Sequence, residues 1–208
     1  MKRRLLLNFA VVIAVMAISA TARADTFTFT GINTGVTGTV NITQLSNNLL
    51  SVTITNTSVG AITGKITGVG FDLPGSGSGT FSLNNASNPN YRLETGIPGN
   101  AAGIGTTFEF ALLTGANFNG GANPNGGIIE GASATFSISG DFSGFSQQMI
   151  AQGIFIRYQD VNAGGGSDVA TTSCPPPEVP EPATMVLLGT GLAGIAGAVR
   201  KRRKTPKA

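Results

Sequence analysis

From residue 26 onward, apolar residues recur at every second position with Thr, Ser, Asn or Gly between them. Thr26-Phe27-Thr28-Phe29-Thr30 places both Phe on one side of an extended chain. From Val36 to Thr43 the even positions are Val36, Gly38, Val40 and Ile42, and the odd ones are Thr or Asn. After the turn cluster Ser46-Asn47-Asn48, Leu50, Val52 and Ile54 alternate with Ser51, Thr53 and Thr55, so the pair reads as a β-hairpin. Ile62, Gly64 and Ile66 keep the even phase, whereas Val69, Phe71 and Leu73 are odd. The slip lies beside Gly68 and Gly70 and predicts a bulge or a strand changing sheets.

Further strands are predicted at 80–83, 108–112 (Phe108, Phe110 and Leu112 inward), 134–138 and 153–158. No segment carries an amphipathic helical stripe. About eight strands with Thr-rich outer faces and Asn/Gly turns predict an all-β domain, a single antiparallel β-sandwich over residues 25–165. Its edges carry few charges, so they are either covered or available to other chains. The stretches 84–105 and 114–131 are dense in Asn, Gly and Pro and read as long loops. Residues 166–182 read as a Gly/Ser/Pro-rich linker containing Pro175-Pro176-Pro177.

Charge separates the ends from the body. Residues 1–24 carry +4 and residues 200–208 carry +6, while the body holds Lys65, Arg92 and Arg157 against all 10 acids. Three scattered cations do not make a nucleic-acid surface, and no nucleic-acid partner is expected. Cys174 is the single cysteine, so no intrachain disulfide forms and no Cys-based metal site can be assembled. A free or intermolecular thiol is the expected state of Cys174.

The N-terminus has a basic Lys2-Arg3-Arg4 start and an apolar run from Leu5 to Ile18. Ala22-Arg23-Ala24 then fits the small-residue pattern of signal peptidase, so residues 1–24 read as a signal peptide cut after Ala24. Ala20-Thr21-Ala22 is a second candidate site. At the C-terminus, Val179-Pro180-Glu181-Pro182 precedes an uncharged apolar run. Residues 183–199 then span about 25 Å as a helix, the lower limit for crossing a bilayer. The basic stop Arg200, Lys201, Arg202, Arg203 and Lys204 opens a tail, 200–208, held in the cytoplasm. Both ends therefore predict a body exported across the inner membrane in an N-out, C-in topology.

Pro-Glu-Pro, a Gly-rich hydrophobic helix and an Arg/Lys cluster, in that order, resemble the PEP-CTERM sorting domain, the substrate tail of exosortases. The resemblance is confined to residues 179–204. It implies that an exosortase-type enzyme recognises Pro180-Glu181-Pro182 and removes the helix. The inner membrane is then a transient partner, and the body ends at the cell surface or outside the cell. It further implies bacteria that make exopolysaccharide, a further expected partner.

The body offers little chemistry. Without histidine there is no Ser-His or Cys-His nucleophile. Glu94, Glu109, Glu130, Asp141 and Asp160 are acids of the type a glycosidase pairs across a cleft. Glu109, between Phe108 and Phe110, reads as a solvated strand residue, and Glu130 and Asp141 read as caps flanking a strand. Asp160, Asn162 and Asp168 surround a Gly run and are candidate calcium ligands. No other cofactor is expected. Tyr91, beside Arg92 and Glu94, is the candidate ligand contact, with packing of its loop onto the domain as the alternative. No enzyme is expected, and no catalytic residue is assigned. The expected role is a structural or adhesive surface or matrix protein associated with exopolysaccharide or biofilm. The alternatives are a calcium- or polysaccharide-binding module and, more distantly, a secreted hydrolase.

Overall fold

The structure, a computed structural model, describes residues 24–73, 79–100, 104–119, 124–162 and 166–172. It is all-β and antiparallel. The strands are β1 (Asp25–Gly31), β2 (Thr37–Ser46), β3 (Leu49–Asn56), β4 (Lys65–Phe71) and β5 (Ser82–Ala86). They continue with β6 (Arg92–Gly99), β7 (Thr106–Leu113), β8 (Ser133–Ser139), β9 (Ile154–Val161) and β10 (Gly166–Thr172). One six-residue helix, α1 (Gln147–Gln152), precedes β9. Ser146 caps it by accepting from the Met149 N–H, and only Ile150 and Ala151 are buried, too few for a helical stripe to be seen in the sequence.

The hairpin expected from alternation is β2–β3, with Val40 opposite Ile54 and Ile42 opposite Val52. The phase slip is a bulge in β4, where the register against β9 shifts between Ile66 and Gly68. Among the described residues ten strands form in place of about eight, and one hydrogen-bonded sheet runs through all of them in the order β5-β8-β3-β2-β1-β10-β9-β4-β7-β6. The sheet is nearly barrel-like, because its end strands β5 and β6 approach each other.

The two additional strands correct two expectations. β6 lies in the stretch 84–105 expected to be a loop, because Gly96 and Pro98 argue against a strand. As an edge strand paired only with β7, it tolerates both. β10 lies where the linker was expected to begin at residue 166. Its sequence reads as Gly/Ser/Thr spacer, yet Asp168, Val169 and Ala170 are buried in the middle of the sheet, so the folded body extends to at least Thr172.

The main core collects the inward residues of both halves of the sheet, among them Val40, Ile54, Phe71, Phe110, Phe136 and Ile156. The halves touch across it, with the Tyr91 ring edge-on to Phe136, centroids 5.1 Å apart. Phe108 departs from the expected shared face of β7. It belongs to a second cluster with Ala111, Leu113, Phe118 and Val169, against which Phe155 packs. Gly70 makes room for it, since a Cβ there would collide with the Phe108 ring. Phe118, from the connection after β7, seals this cluster. Arg157 tethers that connection by donating from Nη2 to the Asn119 carbonyl at 3.2 Å and to Ser167 Oγ at 3.0 Å. Burial lowers the Arg157 guanidinium below its ordinary value, and the Asp168 carboxylate opposes that fall.

The sheet is joined at its middle by β1 and β10, which share only the pairs Phe29–Thr172, Thr30–Thr171 and Gly31–Ala170. Asp168 reinforces this short ladder. Its carboxylate accepts from the Thr34 hydroxyl at 2.7 Å and the Thr34 N–H at 2.8 Å. It also accepts from the Asn33 N–H at 3.1 Å, the Asn33 side-chain amide at 3.2 Å and the Val169 N–H at 2.8 Å. The Ile32 N–H adds a bond to the Val169 carbonyl at 3.0 Å. Gly31 is required beside it, because a Cβ would overlap an Asp168 oxygen.

Burial alone would raise the Asp168 carboxyl, but the bonds from Thr34, Val169 and Asn33 outweigh it and hold it below its ordinary value. Asp168→Ala should therefore destabilise the body by about 2–3 kcal/mol at neutral pH, read as a lower midpoint in urea. A carboxyl with a depressed folded-state pKa stabilises fully above its unfolded pKa and loses that contribution as pH falls through the folded one. The gap between wild type and variant should thus be constant from pH 7 to about pH 5 and shrink below about pH 4. A gap that widens in acid would contradict this role.

Candidate functional site

The candidate calcium ligands do not converge as a metal site. Asp168 has its oxygens turned to N–H and O–H donors of the β1–β2 turn, which a cation would have to displace. Asp160 pairs with Lys65 at 2.8 Å on the surface, and its backbone is left-handed at φ 59°. The Asn162 side-chain oxygen accepts from the Thr63 N–H at 2.9 Å. Among the described residues there is no cluster of three or more His, Cys, Asp or Glu suited to a metal.

Five further acids are also tied to the scaffold. Glu130 accepts from the Gly64 N–H at 2.6 Å, and Asp141 closes a turn on the Ser143 N–H and hydroxyl. Those Ser143 bonds lower the Asp141 carboxyl, the hydroxyl first. Glu109 corrects the expectation of a solvated strand residue. It is half-buried and accepts from the Leu73 N–H at 2.5 Å. Asp72 accepts from the Thr106 hydroxyl at 2.6 Å, and Glu94 pairs with Arg92 at 2.7 Å. The acids proposed from residue type for a glycosidase pair thus each hold a turn, a loop or an ion pair.

Tyr91 is not positioned to meet a ligand. It is only 4% exposed, donates its hydroxyl to the Ile66 carbonyl and packs against Phe136. Of the two readings in the sequence, packing of the loop is the one that forms. Asn56 had no assigned role and emerges as a buried clamp. Its side-chain amide donates to the Gly64 carbonyl at 2.6 Å and the Ile128 carbonyl at 3.0 Å, and its oxygen accepts from the Ser58 N–H at 3.2 Å.

The outer surface differs between the two halves of the sheet. On the β9–β4–β7 side it is occupied by the second apolar cluster. On the β1–β2–β3–β8 side, short polar side chains stand in cross-strand rows. One row is Thr28, Thr39, Thr55 and Ser133, and the next is Thr26, Asn41, Thr53 and Thr135. Three bonds within the rows fix the rotors of the side chains they join. Thr55 and Ser133 hydroxyls lie 2.8 Å apart, Thr53 and Thr135 hydroxyls 2.9 Å, and the Asn41 amide donates to the Thr26 hydroxyl at 3.0 Å. The alternation predicted outward Thr residues, but only the register aligns them into rows.

Ala24 is exposed immediately before β1. Ala22, Val179, Pro180, Glu181, Pro182 and the basic stop Arg200, Lys201, Arg202, Arg203 and Lys204 lie outside the described residues, as do Cys174 and the expected helix 183–199. Among the described residues, no helix is long and apolar enough to cross a membrane.

Tyr91→Phe removes one hydrogen bond and should cost about 1 kcal/mol of stability, whereas Tyr91→Ala should cost about 3–5 kcal/mol through lost packing. Burial raises both the Tyr91 and Tyr158 phenols well above their ordinary value. Absorbance at the tyrosinate band should therefore stay flat on alkaline titration until the body unfolds. An earlier rise belonging to either residue would place it at the surface.

No curated protein matches the chain, and no solved structure matches it. A family model does match at the C-terminus, over residues 178–203, and its description is the PEP-CTERM protein-sorting motif. The motif expected from Val179 to Lys204 is thus the segment recognised, and this chain carries a PEP-CTERM sorting tail.

Proposed function

We propose that the chain is an exported protein of the cell surface or extracellular matrix, with a non-catalytic structural or adhesive role in association with exopolysaccharide or biofilm. The observation that carries this is the sorting motif at residues 178–203. In this reading signal peptidase cuts after Ala24, and the tail holds the precursor in the inner membrane with its body outside. An exosortase-type enzyme then cuts in the Pro180-Glu181-Pro182 region. Two prolines keep that motif extended for a protease groove. The two five-strand halves act as the facing layers of a sandwich joined at β1–β10.

Support for a non-catalytic body comes from Glu109, Glu130 and Asp141, each of which accepts a backbone N–H and so holds a loop or a turn.

Glu181→Ala, or joint replacement of Pro180 and Pro182, should leave a membrane-retained, slightly larger precursor on fractionation and blotting against the body. Exchange of the helix for another Gly/Ala/Leu span of equal length should still permit release. Release of the motif variants at the wild-type level would reduce the tail to a plain anchor.

A further inference from the structure

The two outer faces of the sheet are treated differently by the chain. The β9–β4–β7 face is covered by Phe118 and its connection, tethered through Arg157. Among the described residues, nothing comparable covers the β1–β2–β3–β8 face, and Thr26, Thr28, Ser133 and Thr135 on it are exposed. The two cross-strand rows on this face contain no charged, aromatic or aliphatic side chain. An exposed sheet face is ordinarily studded with Lys and Glu, which keep proteins apart in solution.

We propose that this face is the adhesive surface of the body and that its ligand is an uncharged, extended polysaccharide. The inference rests on the surface reading above and assigns it a site and a ligand class. The ligand should be repetitive because the site is: strands stand about 4.8 Å apart and successive outward residues about 6.7 Å apart along each strand. Neutrality follows from charge complementarity, since a face without cations has nothing to neutralise a uronate or sulfate. Hydrogen bonding dominates because no ring is available on the rows for sugar stacking. The donors are pre-ordered, since Thr is stiff at χ1 and neighbouring hydroxyls already hold one another. Little rotamer entropy is therefore lost on binding. Each sugar contributes weakly, and affinity accumulates along the polymer.

The test uses the mature protein from culture, with retention on microcrystalline cellulose, cross-linked dextran and insoluble β-1,3-glucan as neutral probes and alginate as the acidic one. Wild type should be retained on at least one neutral probe, with little dependence on salt. Thr39→Lys and Thr39→Glu, at the middle of one row, should each weaken retention by roughly tenfold or more. Both should melt as wild type does. Thr95→Lys, exposed on β6 in the other half, should bind normally. No retention on any neutral probe, equal retention by the Thr39 variants, or opposite effects of Lys and Glu would each overturn the proposal. So would salt-sensitive binding to alginate alone. Oligomers in sedimentation that the Thr39 variants abolish would assign the face to a second copy, and also overturn it. Fractionation separates the two levels: a mature body at the surface that binds no glucan sinks this inference alone, whereas a body retained inside the cell sinks the surface reading as well.

Discussion

The carboxylate of Asp168 lies at the point on which the rest of the sheet depends. Five strands on one side and five on the other are joined as one sheet by the pairing of β1 with β10, along three residue pairs. A ladder that short would be a poor joint between two halves that must also face each other across one core. Asp168 extends it by gripping the β1–β2 turn through both of its oxygens, with the donors of Asn33 and Thr34 converging on them. An ionised acceptor forms stronger bonds than a neutral one, so a single side chain can do this. The cost is a charge taken largely out of water, and the converging donors offset it.

The same economy recurs elsewhere in a body with little charge. Asn56 ties the end of β3 to the loops around Gly64 and Ile128, while Glu130 holds Gly64 from the other side. Glu109 and Asp72 act on the opposite end of the sheet, at Leu73 and Thr106. Loops rich in Gly, Asn and Ser have little apolar surface to bury, so their order comes from side-chain bonds to backbone N–H and carbonyl groups.

With the acids and most Phe directed to structure, the surface divides into one capped face and one bare face. The cap arises because β7 turns Phe108 outward, against Phe118 and Phe155. Short side chains on the other face bond one another in pairs along the rows. An edge problem is also reduced: β5 and β6 approach each other, and β6 carries Gly96 and Pro98, which resist pairing with another chain.

Local pattern alone determined the β class, the β2–β3 hairpin, the bulge in β4 and the sorting tail. Period-two alternation, Asn-rich turns and an ordered triplet of motif, apolar run and basic cluster are all readable within a few residues. Tertiary structure decided the rest. β10 has the composition of a linker and becomes a central strand because β1 and β9 supply partners for both of its edges. β6 survives its Gly and Pro because only one of its edges must be paired. Phe108 leaves the face its spacing assigned because Gly70, remote in sequence, opens a place for its ring on the other side. Asp168 and Asn56 look in the sequence like surface polar residues, and Tyr91 like either a ligand contact or a packing residue. Their roles follow from which donors, carbonyls and rings the folded sheet brings to them, and those neighbours come from distant parts of the chain.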